Sequence, residues 1–403
     1  MMRLGSSPRL LLGFLLGAVA GVLLGERANV LLPLADLFVV GLKALGPLVA
    51  LLALISALSS FRPDLGRLAV SAAGIFLLAA LAAAVIGTGV ALLLDVGRGY
   101  PLVVGLAGTA ESAAGWPALL SASIHGPWTY ALVFAVFVWL HLRTRGHDPR
   151  STALVWRPEL GRCLDTAYRM LAWLMQYAPI GIFALMAITF GRLQVDVATA
   201  LLKLLLAVYL GQVLVFAGSL LALRISGLRT GVFLLQAREA LLTALVTGSS
   251  AACVSLEFAV AEQRFGIARD RVGLVLPLGL GIYKPGTAVY LAVVILFAAQ
   301  AAGHEFALPA LLAVTLLALA ASVVTPPVSG GSWVALGLVF AAAGLPPEAI
   351  AVAAAVPLLG KLNTPLNSLG RLAGLRMVAG GHAELAKPGP VRDLAAPGAS
   401  EQS

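Results

Sequence analysis

Long apolar runs separated by short polar ones recur from Leu10 to about Val378, and most are close to the length a helix needs to cross a bilayer. About 20 helical residues span the ~30 Å of hydrocarbon. The pattern predicts helices near 9–25, 30–59, 67–95, 129–142, 164–190 and 198–223, with a Gly/Pro/Ser-rich piece, "GLAGTAESAAGWPALLSASIHGPW", before the fourth. After residue 230 the pattern changes. Two apolar segments are broken in the middle by small and turn-forming residues, "LVTGSSAACVS" (245–255) and "SVVTPPVSGGSWV" (322–334). Pro326 and Pro327 remove backbone donors that lipid cannot replace, so such breaks survive only when buried in protein or lining an aqueous cavity. Each reads as a re-entrant hairpin, the alternative being a kinked spanning helix.

Charge orients the chain. The loop "HLRTRGHDPRSTALVWRPELGR" carries Arg143, Arg145, Arg150, Arg157 and Arg162, which makes it cytoplasmic. Outward from it, the basic pieces Arg3/Arg9, Arg62/Arg67, Arg224/Arg229/Arg238, Arg264/Arg269/Arg271 and the tail after Arg371 alternate with sparsely charged stretches around 96–128, 190–198, 301–307 and 344–348. Both termini therefore fall inside, in a bacterial-type inner membrane, and each broken segment begins and ends on one side. The N-terminal "MMRLGSSPRLLLGFLLGAVAGVLLG" has the basic start and apolar run of a signal peptide. The apolar pattern continues at once, which favours a retained first helix.

Composition agrees with this reading, since 60% hydrophobic residues, 11% charged ones and a mean hydropathy of +0.98 exclude an ordinary soluble domain. The net charge of +9 lies in loops rather than on one face, which argues against a nucleic-acid partner. Cys163 and Cys253 are the only cysteines and form no disulfide framework. No GxSxG, HExxH or Walker-type motif is present, so neither an enzyme nor a cofactor is expected. The C-terminal "HAELAKPGPVRDLAAPGASEQS" is polar and rich in Ala, Pro and Gly, and 381–403 is read as a disordered cytoplasmic tail.

The segment "LPLGLGIYKPGTAVYLAVVILFAAQ" (276–300) holds Lys284 and Pro285 inside a membrane-length run. A lysine about ten residues into such a run, beside a backbone break, should face protein or water. The alternative is that it snorkels to an interface. Two interrupted hairpins in corresponding positions, each followed by an irregular spanning helix, form the inverted-repeat signature of a secondary transporter with a midplane site.

The order of segments, with "LVTGSSA" at the first hairpin tip, "LPLGLGIYKPGTAVY" in the seventh helix, "LNSLGRLAG" in the eighth and "PLADLFVVGLKALGPLV" (33–49) in the second, resembles the dicarboxylate/amino acid:cation symporters, the glutamate-transporter family. The resemblance covers nearly the whole chain. It implies an all-α integral membrane protein of eight transmembrane helices plus two opposed re-entrant hairpins, working as an elevator and assembled as a homotrimer. Residues 1–229 would hold helices one to six, with two, four and five as scaffold and one, three and six supporting the moving part. Residues 230–380 would form the transport core.

Departures from the family pattern carry the sharper expectations. Where the family has Asn-Met-Asp-Gly-Thr, this chain has Tyr283-Lys284-Pro285-Gly286-Thr287, so a sodium-coordinating aspartate is Pro285. The family's third-helix hydroxyl ligands fall at Ala79 and Ala80, and aligning "NSLGRLAG" keeps Asn367 but puts Arg371 at a second sodium-binding aspartate. Hard cations need oxygen ligands. Lys284 and Arg371 are therefore expected to replace bound cations, which predicts sodium-independent transport. In this register the family's arginine that grips an acidic side chain falls at Asn363, and the aspartate that grips an amino group falls at Gly360. Anchoring on "LLGKL" instead places Lys361 at the arginine position.

The expected substrate is a small organic anion, met by Ser249 and Ser250 at one hairpin tip, Thr325 and Ser329 at the other, Thr287, Asn363 or Lys361, and Asn367. Glu257 lies in an apolar run where an unpaired carboxylate is costly. It is read as an ion-pair partner of Lys284 or Arg371, as a proton carrier, or as an interfacial residue. Two further functional readings stay open: a cation- or proton-coupled dicarboxylate/amino acid symport, and a non-transporting or channel-like relic of the fold.

Overall fold

The computed structural model describes residues 6–38, 41, 66–98, 153–303, 306–327, 331–332, 335–336, 339–340 and 360–379, and every regular element among them is helical. Helix α1 (Ser6–Leu24) stops at Gly25, whose φ of 57° lies in the left-handed region that glycine enters without steric cost. A 3-10 turn (Gly25–Leu31) follows, and helix resumes over 32–38. The chain reverses here. Gly13, Gly17 and Gly21 lie against Pro179, Phe183 and Ala187 in rising order, whereas Phe38 meets Gly181 and Gly41 meets Leu174 in falling order. The first predicted helix and the start of the second are thus in place. The rest of the second and the fourth predicted helix, at 129–142, lie outside the described residues.

Helix α2 (Gly66–Leu93) matches the third predicted helix. Helix α3 (Ala153–Ile225) runs for 73 residues and differs from expectation. The sequence predicts two helices, 164–190 and 198–223, but the backbone stays helical through the intervening "GRLQVDV", which has no proline to break it and whose one glycine, Gly191, packs on the backbone of Gly25. Its apolar stretches are Gln176–Gly191 and Thr199–Ile225. Then come the interrupted elements: α4 (Thr230–Thr247), α5 (Ser250–Ala259) with a π turn (Val260–Arg264), α6 (Arg269–Ile282), α7 (Pro285–Ala301), α8 (Leu308–Val324) and α9 (Asn363–Ala379).

Two kinds of helix surface divide the labour. Val19, Val70, Leu78, Val213, Leu221 and Leu308 are exposed, and five helices among the described residues are long and apolar enough to cross a membrane. Such outward-facing apolar rows belong against lipid, and the chain is a multi-pass membrane protein. Helix α7 is the opposite case, buried at every position from Pro285 to Ala299, with α2, α3, α8 and α9 packed around it.

Small residues permit that density. Gly87 of α2 sits against Val289 and Ala292, and the Gly97 amide donates to Gln300 Oε1 at 2.8 Å. On α9, Gly370 receives the Tyr283 ring and Gly374 receives Phe76, while the two rings stack with centroids 4.8 Å apart. Any Cβ at Gly370 collides with the Tyr283 ring. Gly370→Val should therefore destabilise the fold by about 1–3 kcal/mol, the usual cost of overpacking, seen as a lower unfolding temperature in detergent. Gly74→Ala, which faces open space, should not lower it.

Candidate functional site

Three helix breaks are linked by hydrogen bonds. At the first, Gly248 (φ 61°) closes α4 in the left-handed conformation and Ser249 is extended, its Oγ accepting from the Ala252 amide at 3.3 Å to cap α5. At the second, α8 ends at an extended Thr325 whose Oγ1 donates to the Ala321 carbonyl at 2.8 Å. The two breaks are joined. The Pro327 carbonyl accepts from the Ala251 amide at 2.9 Å and from Ser249 Oγ at 3.2 Å.

The third break separates α6 from α7 at Tyr283 and Lys284, and Pro285 opens α7 at the first position, where its missing N–H costs nothing. The last carbonyls of any helix lack intrahelical partners and carry the negative end of its dipole. Lys284 Nζ meets two of these, donating to Gly281 of α6 at 3.0 Å and to Val323 of α8 at 2.8 Å. It is 3% exposed, so it does not snorkel to an interface. The ammonium ties the break between α6 and α7 to the end of α8.

Asparagines of α9 complete the junction. Asn367 Oδ1 accepts from the Gly286 amide at 2.9 Å, and its Nδ2 donates to Thr287 Oγ1 at 3.1 Å. Asn363 Oδ1 accepts from Gln212 Nε2 of α3 at 2.7 Å, and its Nδ2 donates to Ser332 Oγ at 3.2 Å. Below them Arg371 Nε and one terminal nitrogen donate to the two oxygens of Glu257, at 3.0 and 2.5 Å, with both side chains fully buried. Of the placements open for Glu257, the interfacial one is excluded by this burial, and its ion-pair partner is Arg371 rather than Lys284. Fork-to-fork geometry of this kind is the strongest form of the pair.

Of the sequence-derived candidates, Ser250, Thr287, Thr325, Asn363 and Asn367 are buried at the breaks and Ser249 is half-buried at its tip. Lys361 is half-buried in the turn that precedes α9, and Ser329 lies outside the described residues. Gln212 and Ser332 were not anticipated. A lone glutamine within an apolar helix gives no pattern, and serine in a Gly/Ser-rich stretch gives too many. Ala79 lines an apolar cavity of about 260 Å³ with Phe76, Ala83, Val215, Tyr283 and Gly370, and Ala80 beside it is buried. The residues lining that cavity offer no set of oxygen ligands for a hard cation.

Comparison with known proteins gives the arrangement a lineage. A family model described as the sodium:dicarboxylate symporter family matches residues 7–380. The chain is 27% identical to C4-dicarboxylate transport protein 1 of Pseudomonas aeruginosa over 341 residues, covering 78% of this chain and 74% of that protein. It is 30% identical to human excitatory amino acid transporter 1 over 225 residues, 53% of this chain and 40% of that one. An excitatory amino acid transporter of Caenorhabditis elegans is 32% identical over 218 residues, 52% of this chain and 43% of that one. Family and relatives are transporters and not enzymes. With the matched region running through every helix break described above, the chain belongs to the sodium:dicarboxylate symporter family.

Proposed function

We propose that this protein is a sodium-independent secondary transporter of a small organic anion, in which Lys284 and Arg371 take the places of bound cations. The observation that carries the reading is the Lys284 ammonium on the orphan carbonyls of Gly281 and Val323. Converging helix C-termini suit a cation. Here the cationic group is covalently attached and cannot leave, so no sodium gradient can be harvested through it. Arg371 and Glu257 support the same reading, since the second expected ligand position carries a charge already matched within the chain. Ala79 and Ala80 contribute no side-chain oxygen at the third.

The mechanism that fits is an elevator, in which the two interrupted segments, α6, α7 and α9 move as one body against a scaffold of the second, fourth and fifth predicted helices. The joined tips at Pro327 and the wholly buried α7 favour rigid-body motion of that unit. The proposal includes a homotrimer in a bacterial inner membrane with both termini cytoplasmic. Cation-coupled dicarboxylate symport is the second reading, favoured by the description of the matching family model and, for the dicarboxylate, by the name of the Pseudomonas relative.

Three outcomes are expected. Exchange of a carboxylate substrate in proteoliposomes should be equal in sodium, potassium and choline media, and a steep, saturable sodium dependence would sink the proposal. Lys284→Met should leave two buried carbonyls without a donor and lower the stability of the fold by about 1–3 kcal/mol, on the usual cost of an unsatisfied group; chemical unfolding measures this. For the buried pair, Arg371→Met or Glu257→Gln alone should cost about 3–5 kcal/mol of stability, while Arg371→Met with Glu257→Leu should recover most of it. Chemical unfolding of the single and double variants gives the comparison.

A further inference from the structure

Gln212 lies in an otherwise apolar stretch of α3 and is 1% exposed. Its Nε2 begins a one-way relay, donating to Asn363 Oδ1, while Asn363 Nδ2 donates onward to Ser332 Oγ. The other end of the Gln212 amide, Oε1, is buried with no hydrogen-bond partner among the described residues. A buried carbonyl oxygen without a donor is costly and rare. Such an oxygen selects for a ligand group that brings an N–H or O–H. A carboxylate brings none and would set two acceptors against each other.

The relay borders the same helix break as the ammonium, since Gly286, two residues beyond Lys284, packs on the Asn363 backbone. Formal charge at the break can be counted. Glu257 engages Arg371 through both carboxylate oxygens, which cancels one positive charge with one negative. Among the described residues Lys284 meets no carboxylate, only carbonyls, and leaves a single positive charge. Lys361, half-buried in the turn before α9, stands outside this buried set. One net positive charge matches one carboxylate, and a second carboxylate on the same ligand would be buried unmatched.

Resting on the transport reading above, we infer that the substrate is a monocarboxylate whose far end carries a neutral hydrogen-bond donor, a hydroxyl or carboxamide, and that Gln212 determines this specificity by accepting from that donor through Oε1. Asn363 fixes the orientation of the amide. A dicarboxylate is the ligand this site rejects.

The test uses the full-length protein and four-carbon ligands of matched length: succinamate, 4-hydroxybutyrate, succinate and butyrate. Affinities come from isothermal titration in detergent, and translocation from counterflow in proteoliposomes. Succinamate or 4-hydroxybutyrate should bind at least tenfold more tightly than either succinate or butyrate, and Gln212→Leu should bring their affinity down to that of butyrate. Succinate binding as tightly as succinamate overturns the inference and leaves the transport reading standing. Donor-bearing ligands no better than butyrate also overturn it. Failure of all four ligands to bind or exchange removes both readings. The unmodified protein decides the ligand order whether or not Gln212→Leu folds.

Discussion

A broken helix inside hydrocarbon exposes amides and carbonyls that lipid cannot satisfy, at several kcal/mol for each group left alone. The architecture of this core is organised around that cost. The Gly281 and Val323 carbonyls are met by Lys284, the Gly286 amide by Asn367, and the Pro327 carbonyl by both Ser249 and Ala251. Every one of these links joins different elements, so the groups freed by breaking one helix hold another in place. Irregular backbone is here a means of assembly.

The Arg371–Glu257 pair does a different kind of work. Desolvating two charges offsets most of their attraction, and such pairs add little to net stability compared with an apolar filling. What the pair does supply is registry. Two donors of one guanidinium on two oxygens of one carboxylate fix α9 against α5 in a single arrangement, with Gly279 of α6 packed on the arginine stem.

Legibility in the sequence followed the chemistry of each residue. Breaks could be read at Gly248, Pro285 and Pro326 because glycine and proline change backbone options locally. The boundary near residue 191 could not, since only polarity and the lone Gly191 marked it, and "GRLQVDV" without a proline is compatible with helix. Glu257 could be flagged as a buried acid from its apolar neighbours, yet choosing between Lys284 and Arg371 needed three-dimensional proximity. Gln212 left no trace, because its role depends on Asn363, 151 residues away. Long-range partners of single polar residues are invisible to periodicity.

The glycines of α1 meet the carbonyls of α3 at Pro179, Phe183 and Ala187, repeating every four residues on both helices. Four residues of α-helix rise about 6 Å. Contact between the pair is thus periodic, like two combs with matched teeth, and a slide of one or two residues would drive backbone into side chain. Whatever rearrangement this membrane protein undergoes, α1 and the adjoining stretch of α3 must either travel together or part by a whole tooth, which makes this seam a rigid unit within a chain otherwise rich in interrupted helices.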